Sequence, residues 1–170
     1  MPGPVYVYLN FVDFYQNHRA MMSSFSRKQL ENKGETEANL KSICSGAYTN
    51  KEMGKDKSFT GVALDPNAGA SPCGYMARNF PLDEYKSMTT ADGLKTYPIL
   101  DTDLIMPEEA ENFQPETDAK NKQWVDVTKH RFINWMVAAS LNRNPPRLAT
   151  STSSGAEFLM VCRRVTTNYC

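Results

Sequence analysis

The chain's residue pattern predicts a mixed α+β domain, and three observations carry that expectation. Val5, Val7, Leu9 and Phe11 alternate with Tyr6, Tyr8 and Asn10, the period of a half-buried strand. Phe132, Trp135, Met136 and Ala139 recur at helical spacing and draw one apolar stripe between Lys129 and Leu141. Gly155 to Val165 offers a closing strand rich in β-branched and aromatic residues. With 170 residues the default is a single domain, burying roughly two-thirds of its unfolded surface.

Between these elements the chain is punctuated rather than periodic. Met21 to Leu30 has helical potential, with Ser23, Ser24 or Ser26 available as a cap. Lys33 to Gly69 is polar and rich in Gly, Asn and Lys, which reads as loop with one strand near Phe59 to Leu64. Asp65-Pro66-Asn67-Ala68-Gly69 is turn chemistry, and Pro98 to Ile105 reads as a short edge strand. Asp101 to Asp118 is acidic and broken by Pro107 and Pro115, so a solvated loop is expected there. A calcium loop would need carboxylates at alternate positions, a central Gly and a closing Glu, and that spacing is missing. For the Lys129–Leu141 helix, Asp126 or Thr128 can cap the start, and Asn142 to Pro146 ends it. Thr150 to Ser154 is a short Ser/Thr link.

Charge and hydropathy narrow the function classes. Nineteen basic side chains balance nineteen acidic ones, which argues against a nucleic-acid binder and a polybasic membrane-surface protein. The core run Trp135 to Ala139 falls far short of the ~20 residues of a membrane span. Met-Pro-Gly-Pro lacks the charged-then-apolar layout of a signal peptide. By itself the chain reads as soluble. Its four cysteines, Cys44, Cys73, Cys162 and Cys170, have no Cys-x-x-Cys spacing and do not make a zinc site. Three pairings exist for two disulfides, and buried free thiols are the other reading. On one straight strand Cys162 and Cys170 would lie roughly 26 Å apart, so their pairing requires a turn between them.

Catalytic chemistry finds little support. A Cys-His nucleophile pair would need one cysteine beside His18 or His130, and no local signature points to either. Asp101/Asp103 and Glu108/Glu109 sit in the acidic loop with no dry pocket implied. Phosphate-binding Gly loops, His-x-x-x-His and Gly-x-Ser-x-Gly are missing. No cofactor or metal is expected. A binding role suits the composition better. Tyr6, Tyr8, Phe14, Tyr15 and Arg19, flanked by Gln16, Asn17 and His18, are residue types enriched in interface hot spots. The alternative for the amides, imidazole and guanidinium is internal: saturating buried backbone groups and holding strand ends together.

Five blocks, in order, resemble one family. Tyr6 to Tyr8 followed by Asp13-Phe14-Tyr15-Gln16-Asn17-His18-Arg19 is similar to the hallmark of the CDC-fifty (ligand-effect modulator) group, with Asp13 where Asn is usual. Gln29-Leu30, Cys44, Ser71-Pro72-Cys73-Gly74 with Ala77 and Phe80, Tyr97-Pro98-Ile99, and His130 to Met136 with Ala138, Ala139 and Leu141 resemble later blocks. Gly155, Phe158, Val161 and Asn168-Tyr169 are similar to its closing strand. The chain departs from the pattern at Asn142 to Arg147 and carries no Asn-x-Ser/Thr glycosylation site.

The resemblance implies a mainly β fold with helical insertions: an antiparallel, jelly-roll-like sandwich stapled by disulfides. It favours Cys44 with Cys73, leaving Cys162 with Cys170. It implies that residues 1–170 form one extracytoplasmic region whose full-length form has a membrane helix on each side. The expected function is a non-catalytic accessory subunit of a phospholipid-flipping type IV P-type ATPase. It would bind the pump's extracytoplasmic loops, support the pump's export from the endoplasmic reticulum and its transport cycle, and meet phospholipid only through the pump. The expected location is the lumenal or extracellular side of the plasma membrane, Golgi, endosome or endoplasmic reticulum. Two alternatives stand beside it: a secreted β-sandwich binding carbohydrate or peptide through the Tyr-rich face, and a small hydrolase using His18.

Overall fold

The computed structural model describes residues 5–10, 16, 18–84, 86–89, 91–100, 104–137 and 157–162. In chain order the described elements are β1 (Val5–Asn10), α1 (Arg19–Met22), α2 (Arg27–Leu30), α3 (Glu37–Ile43), α4 (Asn50–Met53) and α5 (Tyr75–Arg78). There follow β2 (Ser87–Thr89), β3 (Thr96–Pro98), α6 (Pro107–Ala110), α7 (Ala119–Lys122), α8 (His130–Met136) and β4 (Glu157–Cys162).

The expected sandwich is overturned. Among the described residues the strands form two separate two-stranded antiparallel ladders, β1 with β4 and β2 with β3, while eight short helices carry the body. Two-stranded ladders do not supply the two broad facing sheets a sandwich needs. The cause lies in the middle of the chain, where cap and turn residues recur too often for long strands. Ser26 accepts the Gln29 amide and starts α2, and Thr36 does the same for Asn39 at α3. Thr49 and Glu52 close a reciprocal capping box on α4, which Gly54 ends in the left-handed region at φ 68°. The scaffold of the alternative secreted sandwich falls with the same observation.

Other boundaries shift for local reasons. The expected Met21–Leu30 helix is two short ones, because Ser23 to Ser26 turn the chain between α1 and α2. The strand expected at Phe59 to Leu64 is a tight turn closed by an isolated Lys57–Ala63 bridge. β3 occupies Thr96–Pro98 instead of starting an edge strand at Pro98. α8 lies inside the expected helix; it is entered from Lys129, while Asp126 accepts the Thr128 amide and hydroxyl just ahead of it. β1 and β4 fall within the expected first and last strands, in the register Val5 to Cys162 through Asn10 to Glu157.

One aromatic core holds these pieces. Phe132, fully buried on α8, makes edge-to-face contacts with Phe80, Phe113 and Trp124 at centroid distances of 5.2, 6.3 and 6.4 Å. Trp135, one turn on, packs at 67° against Phe80. Ile133 and Met136 complete the buried face of α8. Phe132, Trp135 and Met136 of the helical stripe read from the sequence are therefore the side of α8 that closes the core, while Ala139 lies outside the described residues. No helix among the described residues is long and apolar enough to cross a membrane.

Candidate functional site

Several of the motif blocks of the sequence meet along one segment, Ser71 to Phe80. Its centre is the disulfide between Cys44 and Cys73, with Cα atoms 5.9 Å apart and both residues shut off from solvent. Around it the segment is zipped to its neighbours by backbone bonds. The Ala70 amide donates to the Tyr48 carbonyl at 2.7 Å and the Gly74 amide to the Ala47 carbonyl at 2.9 Å.

Side chains from distant blocks complete the arrangement. Gln29 clamps the segment from two sides: its Nε2 donates to the Ala70 carbonyl at 3.0 Å and its Oε1 accepts the Cys73 amide at 2.9 Å. The Trp124 indole N–H donates to the Pro72 carbonyl at 2.8 Å, and that of Trp135 to the Met76 carbonyl at 2.7 Å. Ser24 Oγ accepts the Tyr75 amide at 3.0 Å, and Ser71 donates its hydroxyl to Glu116 at 2.6 Å. Arg131 donates to the Pro81 carbonyl at 2.7 Å with its guanidinium 5.4 Å above the Phe80 ring. Gly74 is required at the closest approach. It lies at φ 103°, and a Cβ there would land on the Ser24 carbonyl oxygen.

The aromatic-amide run is divided by this arrangement. Gln16 is half-buried and donates from Nε2 to the Trp135 carbonyl at 2.5 Å. His18 is exposed and caps α1, its Nδ1 accepting the Ala20 amide at 3.3 Å. Arg19 is exposed at the start of α1, and its carbonyl accepts both the amide and the hydroxyl of Ser23. Met22 adds an exposed thioether on the same short helix. Phe14, Tyr15, Asn17 and Cys170 lie outside the described residues. Tyr6, Tyr8 and Cys162 are placed only by the β1–β4 register, Tyr6 opposite Val161 and Tyr8 opposite Leu159.

Two residues that sequence reasoning left out of the site turn out to organise it. Gln29 was visible only as half of a Gln-Leu pair, and nothing local announces an amide that reaches across to residues 70 and 73. Trp124 carried a signal, since a lone Trp among Gln, Val and Asp residues is a candidate core anchor with a polar tip. Replacing Gln29 by Ala removes two hydrogen bonds and leaves a sequestered amide and carbonyl unpaired. The expected loss of unfolding free energy is about 2 to 4 kcal/mol, read from urea titration.

Electrostatics at the rim are local. The Thr49 amide, then that of Tyr48, holds the Glu52 carboxyl below its ordinary value. A lowered folded pKa means that this contribution is present above the unfolded value of 4.5 and is lost as pH falls through the folded one. Amide-exchange protection at Tyr48 and Thr49 should therefore fall as the pH drops below that window. Glu52→Gln should abolish the pH dependence. Half-buried Lys55 places its ammonium 4.3 Å over the Trp124 ring, and its burial, with Arg78 adding to it, lowers its pKa. Among the described residues no group of three or more His, Cys, Asp and Glu could hold a metal ion.

The chain is thus a disulfide-pinned α+β unit whose polar side chains are largely spent on its own backbone, with Arg19 and Met22 exposed on a short helix beside them. The chain belongs to the LEM3 (ligand-effect modulator 3) family / CDC50 family, whose profile matches residues 1–154. No curated protein matches it. Family membership is consistent with an accessory subunit of lipid flippases, points to P4-type ATPases in general as partners, and marks a membrane-associated group.

Proposed function

We propose that this chain is the extracytoplasmic part of a non-catalytic accessory subunit that binds the extracytoplasmic loops of a phospholipid-flipping P-type ATPase. The observation that carries the reading is the division of the family hallmark. Gln16 is turned inward onto Trp135, while His18, Arg19 and Met22 stand exposed on α1, which packs against α5 of the disulfide-anchored segment. A cationic and apolar surface held on a rigid support loses little side-chain freedom on docking, which favours affinity. In this role the phosphorylated Asp, nucleotide and magnesium belong to the pump, and phospholipid meets this subunit only through it. The subunit acts by binding some pump conformations better than others. Support of pump export from the endoplasmic reticulum, on the lumenal side, follows from the same preference for the folded partner.

Co-purification from membranes expressing both proteins tests this reading. The chain should retain the pump in detergent, and Arg19→Ala/Met22→Ala, which spares the His18 cap of α1, should weaken capture about tenfold or more while leaving the thermal unfolding of the chain unchanged. A wild-type chain that never retains the pump overturns the proposal.

A further inference from the structure

Two cations from distant parts of the chain, Lys55 and Arg78, come within range of each other. Neither forms an ion pair among the described residues. Gly54 ends α4 in the left-handed region, and the Lys55 amide turns back to the Asn50 carbonyl at 2.9 Å. That turn lays half-buried Lys55 with its ammonium 4.3 Å over the Trp124 ring. Arg78 stands exposed at the end of α5, and its charge acts on Lys55. The support beneath them is fixed. Trp124 donates its indole N–H to the Pro72 carbonyl at 2.8 Å and its amide to the Ser71 carbonyl at 3.2 Å. The Arg78 amide bonds the Gly74 carbonyl at 2.9 Å. Indole and arginine are thus anchored on the stretch that carries Cys73.

An ammonium that gives up part of its water ordinarily gains a carboxylate in exchange. Lys55 instead gains an aromatic face, which offsets part of that loss, and a neighbour of like sign, which adds to it. Glu52 lies within the field of Arg78, the smallest influence on its carboxyl, while its Oε2 accepts the Tyr48 and Thr49 amides. It stays charged, but it is not in ion-pair contact with either cation. With Glu52 and Asp56 counted in full, residues 51–57 and Arg78 hold four cations against two acids, in a chain of zero net charge. There is room in that balance for an anion from outside. Its chemistry follows from the donors. A guanidinium fork and one ammonium match the two oxygens of a carboxylate. A phosphate has further oxygens to satisfy, and the Tyr48 and Thr49 amides ahead of α4 already serve Glu52.

We propose that Lys55 and Arg78, with Trp124 as the floor, form a binding site for a carboxylate, one oxygen on the ammonium and one on the guanidinium. None of these residues lies on α1, and the site does not depend on the pump-binding reading.

The test follows Lys55 in the whole chain through the Cε resonance of labelled lysine, identified by its loss in Lys55→Met. Sodium acetate, compared with sodium chloride at equal ionic strength, should shift that resonance saturably and leave the other lysines unchanged. Acetate favours the charged ammonium, so the Lys55 titration should also move to higher pH. Arg78→Gln should weaken acetate binding about tenfold or more, with circular dichroism unchanged. No saturable shift in acetate overturns the proposal, and an equal shift in chloride reduces the site to a general anion effect and overturns it too. So does acetate binding that Arg78→Gln leaves intact, or inorganic phosphate binding more tightly than acetate. A blocked Gly-Glu-Gly peptide separates the two sources of a carboxylate, both of which fit the proposal. Binding tighter than acetate assigns the site to an acidic side chain of a polypeptide; binding no tighter assigns it to a free small carboxylate.

Discussion

Replacing Cys44 and Cys73 by alanine lowers the unfolding free energy by about 3 to 4 kcal/mol, the loop-closure value for cysteines 29 residues apart. The denaturant m-value should rise at the same time, because the released loop lets the unfolded chain expose more surface. Both cysteines are buried, so the pair also contributes packing that alanine forfeits. Urea titrations of the double variant and of the reduced wild type separate the two contributions. A double variant as stable as the oxidised wild type would show that the cross-link adds nothing to the folded state. In a domain with the usual 5 to 15 kcal/mol in total, the expected loss is a large share.

The second large effect is at Phe132→Ala, expected to cost about 3 to 5 kcal/mol. Phe132 is 0% exposed and touches Phe80, Phe113 and Trp124, which come from three separate stretches of chain. Its removal leaves a void bounded by rings that cannot collapse together, and the cost of a core truncation rises with the cavity that remains. Near-ultraviolet circular dichroism should lose its aromatic signal in step with the urea midpoint. Phe132→Leu, which refills most of the volume, should recover more than half of the loss. A loss under about 1 kcal/mol for the alanine variant would mean that the aromatic cluster is not the centre of the core.

The legible parts of this fold were those whose cause is local. The spacing of Phe132, Trp135 and Met136 specified the buried face of α8, because helical periodicity is set within two turns. Ser26 among the candidate caps does cap α2. Ser24 instead spends its hydroxyl on Tyr75, 51 residues away. That bond, like the Gln29 clamp on residues 70 and 73, depends on chain segments brought together only by folding. No pattern of neighbours encodes it. The strand expected at Phe59 to Leu64 failed for a related reason. Ser58 and Gly61 close a turn more cheaply than an extended run could find a partner. The sandwich rested on likeness to a family, and a likeness in motif residues constrains the disulfide and aromatic core more tightly than it constrains the sheets around them.

The pairing of Val5 with Cys162 has a consequence for biogenesis. Ribosomes release the amino end first, so β1 must wait until residues 157–162 are made before its mate exists. At ordinary elongation speeds that delay is on the order of 10 seconds. Throughout it a Tyr- and Val-rich edge stands open to mispairing. Anything that covers that first strand until β4 emerges removes the hazard.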